Sequence, residues 1–144
     1  MLDINYHFLG SIPPKRAYSK MAIDEIYEYI SHEAKLTITY NNIIIFAEEI
    51  AVVEFYWYIS KWYEHCFTVH KKPFIYSTIE HSVPILTFNF HQNGFWEIDS
   101  IWKQCVKPVM VPEPLFLSTI CKLINQFSSN IENEGYHTVY HSEG

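Results

Sequence analysis

Apolar and polar residues alternate along Leu2-Asp3-Ile4-Asn5-Tyr6-His7-Phe8, placing Leu2, Ile4, Tyr6 and Phe8 on one face. A period of two is that of a strand with one side against a core. Pro13-Pro14 closes that element, and residues 15–20, with Lys15, Arg16 and Lys20, read as a basic loop. Ile23, Ile26, Tyr27 and Ile30 then stand at helical spacing and predict a short helix over 23–32, although Tyr27 to Ile30 also suits a strand.

Two β-rich runs, 36–40 and 43–46, flank Asn41-Asn42. Asparagine tolerates positive φ, so this is a hairpin with a two-residue turn. From 48 to 66, Val53, Tyr56, Ile59, Trp62 and Tyr63 recur at steps of three and four, which predicts the central amphipathic helix. Glu48 and Glu49 near its start would complement the helix dipole. A strand is predicted at 74–78 after Lys71-Lys72-Pro73. Two more, at 84–90 and 95–102, bracket Gln92-Asn93-Gly94, and Asn-Gly is a strong hairpin signal. In the second of them Trp96, Ile98, Ser100 and Trp102 share a face, opposite Phe95, Glu97, Asp99 and Ile101. Pro112-Glu113-Pro114 opens a second amphipathic helix through Ile120, Ile124 and Phe127, fraying at 133–135.

The expected fold is α+β: a single antiparallel sheet of five to six strands, covered on one face by two long amphipathic helices. One domain would span 1–135, with 136–144 a flexible tail. Composition agrees with one well-filled core: 144 residues, 49% hydrophobic, 17% aromatic and 18% charged. The longest uninterrupted apolar run is Ile43 to Ala47, far short of a membrane span. The N-terminus lacks a signal-peptide pattern, and three cysteines cannot all pair. A cytoplasmic location is the expectation.

Specific catalytic signals are missing from the sequence. Triads could be assembled from Ser100, His81 and Asp99, or from Cys105, His91 and Glu97, but such sets are defined by geometry rather than by presence. Glu97 and Asp99 share a strand face and could serve as an acid–base pair, although a solvated face explains them as well. His137 and His141 have metal-ligand spacing without the glutamate of a zinc-protease motif. With four glycines there is little scope for a phosphate-cradling loop. No metal, no cofactor and no enzymatic role are expected.

Charge is more informative. Ten Lys and Arg against sixteen Asp and Glu give a net charge of −6, which argues against nucleic acid as partner. Eight of the acids and two of the bases fall between 21 and 64, so that stretch alone equals the net charge. Formed into one surface, it would steer a basic partner. Trp57 and Tyr58 lie at or beyond the edge of the helix stripe beside it. Tyrosine and tryptophan are common interface anchors.

The strand pair at 36–46, Val53-Glu54-Phe55-Tyr56-Trp57 with Lys61-Trp62-Tyr63, Phe74-Ile75-Tyr76-Ser77, and Trp96-Glu97-Ile98-Asp99-Ser100 together resemble an uncharacterised family of small cytosolic proteins from Bacillus-like bacteria, a domain of unknown function. The likeness spans about residues 2–130 and carries no catalytic residues. More loosely, size, acidity and the closing strand–helix order are similar to immunity proteins of bacterial polymorphic toxin systems, which bind and block a toxin domain.

The expected function is therefore a non-enzymatic, protein-binding domain, with an immunity protein neutralising a basic toxin as its specific form. Its contact residues would be Glu48, Glu49, Glu54, Trp57 and Tyr58. The alternative is a small-molecule-binding domain or weak hydrolase, with a pocket between sheet and helices lined by Tyr76, His81, Trp96 and Asp99. No nucleic acid or membrane partner is expected, and the chain would be a monomer or a homodimer.

Overall fold

The run of period two at the start of the chain is a strand, β1, Leu2–Phe8. It pairs antiparallel with β2, Glu33–Tyr40, which pairs in turn with β3, Ile43–Ala51. This computed structural model describes residues 1–8, 33–66, 71–77 and 83–133. The basic loop, the short helix at 23–32 and the tail at 136–144 lie outside them.

The turn between β2 and β3 is the two asparagines, with φ of 51° at Asn41 and 68° at Asn42. Both central residues are left-handed, as the hairpin turn that matches strand twist requires. A bulge between Ile38 and Thr39 shifts the register once.

The strand after the turn runs further than the sequence suggests. Glu48 stands opposite Leu36, Glu49 opposite Lys35, and Ile50 opposite Ala34. The helix α1 begins only at Val52 and runs to Lys61, followed by one π-helical turn over Trp62–Cys66. Glu48 and Glu49 are therefore strand residues, and the acid in the first helical turn is Glu54. The pairing with β2 outweighs helical periodicity here, because it buries Ile50 and satisfies the backbone in a ladder.

The remaining strands form a second sheet, which corrects the expectation of a single one. β4 (Phe74–Tyr76), β5 (Leu86–His91), β6 (Phe95–Asp99) and β7 (Val109–Pro112) are antiparallel neighbours in that order. The β5–β6 turn places Gly94 at φ 90° and returns its N–H to His91 O at 3.0 Å. β7 leads directly into α2, Glu113–Asn133. The described strands thus number seven, in sheets of three and four.

Each helix touches both sheets, so the helices join them rather than covering one face of a single sheet. α1 contacts β2, β3 and β4, while α2 contacts β1, β6 and β7. The buried stripe of α2 is Phe116, Ile120, Leu123 and Phe127, at steps of four, three and four. Phe127 stacks on Tyr6 of β1 at 4.2 Å between centroids and meets Phe55 and Tyr56 of α1. At the other end Trp62 makes edge contacts with Phe74, Phe88, Trp96 and Phe116. These rings explain the aromatic composition: they are the joint between helices and sheets.

Candidate binding groove

α1 places Glu54, Tyr58 and Lys61 at successive steps of four and three, hence along one side of the helix, and the π-helical turn after it carries His65. That side faces β4. Between them runs an open groove of about 590 Å³, lined from the helix by Tyr58, Lys61, Trp62 and His65. From the strand it is lined by Pro73, Phe74, Ile75 and Ser77. Neighbouring residues of a strand point to opposite faces. Since Phe74 and Ile75 both line the groove, it follows the backbone edge of β4, and β4 is the end strand of its sheet.

The groove has an apolar floor and exposed apolar rims. Phe74 and Trp62 are buried beneath it, while Tyr58 and Ile75 retain 48% and 57% of their surface. Trp62 is fixed by donating its indole N–H to Lys72 O at 2.8 Å.

Glu54 stands one helical turn before Tyr58, outside the groove lining. The buried Tyr76 hydroxyl donates to Glu54 Oε1 at 3.3 Å, and the Tyr58 ring lies 6.1 Å from that of Tyr76. Burial raises the Glu54 pKa above its ordinary value, opposed by the hydrogen bond from Tyr76. Burial and the neighbouring carboxylate both push the Tyr76 phenol up. Beyond Tyr58 the groove carries Lys61 and His65.

The residues expected at the partner contact are dispersed. Glu48 lies on the core-facing side of β3 with Leu36, and Glu49 on the outer side with Lys35. Trp57 is half-buried and packs against the core. Of the five, Tyr58 alone lines the groove. The alternative pocket is not assembled either: Tyr76 and Trp96 are fully buried, and Asp99 lies on the opposite face of β6 from Trp96. His81 lies outside the described residues. The structure instead brings Tyr76, from one candidate set, against Glu54 and Tyr58 from the other.

The acid–base candidates are engaged elsewhere. Glu97 meets His91 Nε2 at 2.9 Å, and Asp99 pairs with Lys103 at 3.2 Å and accepts from the Ser100 N–H at 2.9 Å. Ser100 Oγ donates to Ile85 O, and Cys105 Sγ donates to Lys107 O at 3.2 Å. Among the described residues no cluster of three or more His, Cys, Asp or Glu could hold a metal ion. No described helix is long and apolar enough to cross a membrane.

Sequence reasoning missed Ile75 and the groove beside it. The available signal was a short apolar run directly after Lys71-Lys72-Pro73, since proline and lysine mark strands at a sheet edge. It also missed a polar link across the second sheet. Glu113 accepts from the indole N–H of Trp96 at 2.9 Å and from Lys71 Nζ at 2.8 Å, and Lys71 lies 4.4 Å above the Phe90 ring.

The model of a family described as a domain of unknown function, DUF7878, matches residues 4–133. The chain belongs to this family. The matched span reaches from β1 to the end of α2, so the groove lies wholly within the family's domain. No curated protein and no solved structure matches the chain.

Proposed function

We propose that this chain is a non-enzymatic binding domain whose groove between α1 and β4 receives an apolar side chain of a basic protein partner. The observation that carries the reading is the pair of exposed rims, Tyr58 and Ile75, above an apolar floor along an edge strand. A rigid ring beside a buried apolar floor is the make-up of an interface anchor. The net charge of −6 supplies long-range attraction for a basic partner without needing all the acids on one surface. Neutralisation of a basic toxin domain, the work of an immunity protein, is the specific form we assign to this binding.

The test is co-purification from the bacterium that encodes the chain, at low and raised salt, with Tyr58→Ser and Ile75→Glu beside the unmodified protein. One basic protein, captured by the unmodified chain, weakened by salt and lost with both variants, supports the reading. The same capture by all three proteins refutes the groove as the site.

One observation favours a second reading, a small-molecule site or weak hydrolase. The Glu54 carboxyl, its pKa raised by burial, accepts from Tyr76 one helical turn before the groove-lining Tyr58. A ligand that raises Tm for the unmodified protein but not for Glu54→Gln would favour it.

A further inference from the structure

Four of the described acids meet a basic group at 2.8 to 3.7 Å: Glu64 and Glu97 a histidine, Asp99 and Glu113 a lysine. Glu54 meets none among the described residues, although it is half-buried on α1. Its bond is to the Tyr76 hydroxyl, which donates to Oε1 at 3.3 Å. An ionised carboxylate has about four acceptor positions. One phenol occupies one of them, and Oε2 is left for a donor from outside.

Tyr58 stands one helical turn further along the same side of α1 and keeps 48% of its surface open. Its ring lies 6.1 Å from that of Tyr76, so one buried phenol holds both the carboxyl and the exposed ring in place. Lys71 lies over the Phe90 ring, but no described cation lies over Tyr58. A carboxylate oxygen beside an open aromatic ring suits a guanidinium. Its N–H edge donates to the oxygen while its flat face stacks on the ring. An ammonium lacks the flat face and gives up its water less readily.

We propose that Glu54 and Tyr58 bind an arginine side chain of the basic partner, next to the apolar residue that the groove receives. The apolar half of this arrangement rests on the function proposed above; the arginine half stands on Glu54, Tyr58 and Tyr76. Partial burial costs the ionised carboxyl some hydration, as its raised pKa records, and a bound cation offsets that cost. Beyond Tyr58, Lys61 would repel a second cation, so charge along α1 places the arginine on the Glu54 side. Spacing agrees. Glu54 and Tyr58 are about 6 Å apart along the helix axis. Side chains two residues apart in an extended segment share a face at about 6.6 Å. The arginine is therefore two residues from the apolar side chain.

Acetyl-Leu-Gly-Arg-amide and the reverse sequence, acetyl-Arg-Gly-Leu-amide, cover both chain directions. Proton NMR with the full chain should show saturable binding of one of them, its arginine δ-methylene protons shifted upfield by the Tyr58 ring. Citrulline keeps the shape of arginine without the charge, and in its place should weaken binding about tenfold. Glu54→Gln, which keeps an acceptor for Tyr76, should weaken the arginine peptide by a similar factor, and Tyr58→Leu should abolish the upfield shift. Equal binding of the citrulline and arginine peptides, or equal affinity in Glu54→Gln, refutes the arginine site, while a continued need for leucine keeps the groove. Equal binding with glycine in place of leucine, still lost with citrulline, upholds the arginine site and removes the groove. No saturable binding of either sequence overturns the proposal.

Discussion

Replacing Glu113 with alanine should unpin the second sheet from α2. Its carboxylate is the acceptor for the Trp96 indole N–H at 2.9 Å, and Trp96 has no exposed surface. Leaving that donor without a partner costs about 1–3 kcal/mol. Loss of an acid from the first turn of α2 adds about 0.3–1 kcal/mol. The ion pair with Lys71 adds no more than about 1 kcal/mol, because its two side chains are 42% and 21% exposed. Glu113→Ala should therefore cost about 2–4 kcal/mol. Glu113→Gln keeps an acceptor for Trp96 and should cost about 1 kcal/mol. The assay is urea unfolding followed by tryptophan fluorescence, with midpoints compared at unchanged slope. The pH dependence has a definite sign. The hydrogen bond from Lys71 holds the Glu113 carboxyl below its ordinary value; the Trp96 bond and the Lys71 charge reinforce this, and burial opposes it. A depressed folded value means that the stabilisation is complete above the unfolded carboxyl pKa, about 4.3, and is lost as pH falls through the folded value. The deficit of Glu113→Gln should thus shrink between pH 7 and pH 3. The reasoning is refuted if Glu113→Ala is no worse than Glu113→Gln, or if the glutamine deficit is the same at both pH values.

Two further outcomes rest on the aromatic joint and on the Glu54 carboxyl. Trp62→Ala removes a buried ring shared by Phe74, Phe88, Trp96 and Phe116, and should cost about 3–5 kcal/mol in the same unfolding assay. Glu54 has the opposite pH sign from Glu113: burial raises its folded pKa, so its ionised form costs stability above that value and the native state gains as pH falls through it. Glu54→Gln, which keeps an acceptor for Tyr76, should be neutral or stabilising by up to about 1 kcal/mol at pH 7, whereas a loss above 1 kcal/mol would show the charge to be needed.

The hairpins were legible because their turns use chemistry with few alternatives: two asparagines at positive φ, and an Asn-Gly whose glycine stands at φ 90°. The start of α1 was not. Ile50 satisfies both templates, three residues before Val53 on a helix and opposite Ala34 on a strand. Ala51 provides no side-chain cap, and β3 passes into α1 without a turn, so no local residue marks the boundary. β7 was hidden by its own proline: Val109 to Val111 is a short apolar run, and Pro112 reads as a helix entry unless the strand is known to lie at an edge. The division into two sheets leaves still less trace in the sequence. Alternation specifies which face of each strand is buried, but α1 stands between the third and fourth strands and both sheets bury their faces against the same helices.

That division also decides what the acidic stretch can do. Once β3 extends to Ala51, Glu48 and Glu49 fall on opposite faces of one strand, and Glu49 sits across from Lys35. Glu54 is held by the buried Tyr76 hydroxyl, while Glu64 lies exposed beside His65. Glu48, Glu49, Glu54 and Glu64 thus contribute to a field around the molecule rather than sharing one face. Under the proposed function, field and groove have separable effects on binding. The net charge governs how fast a basic partner arrives, and salt should slow that encounter. Tyr58 and Ile75 govern how long it stays, so Tyr58→Ser should raise the dissociation rate and leave the salt dependence of association in place.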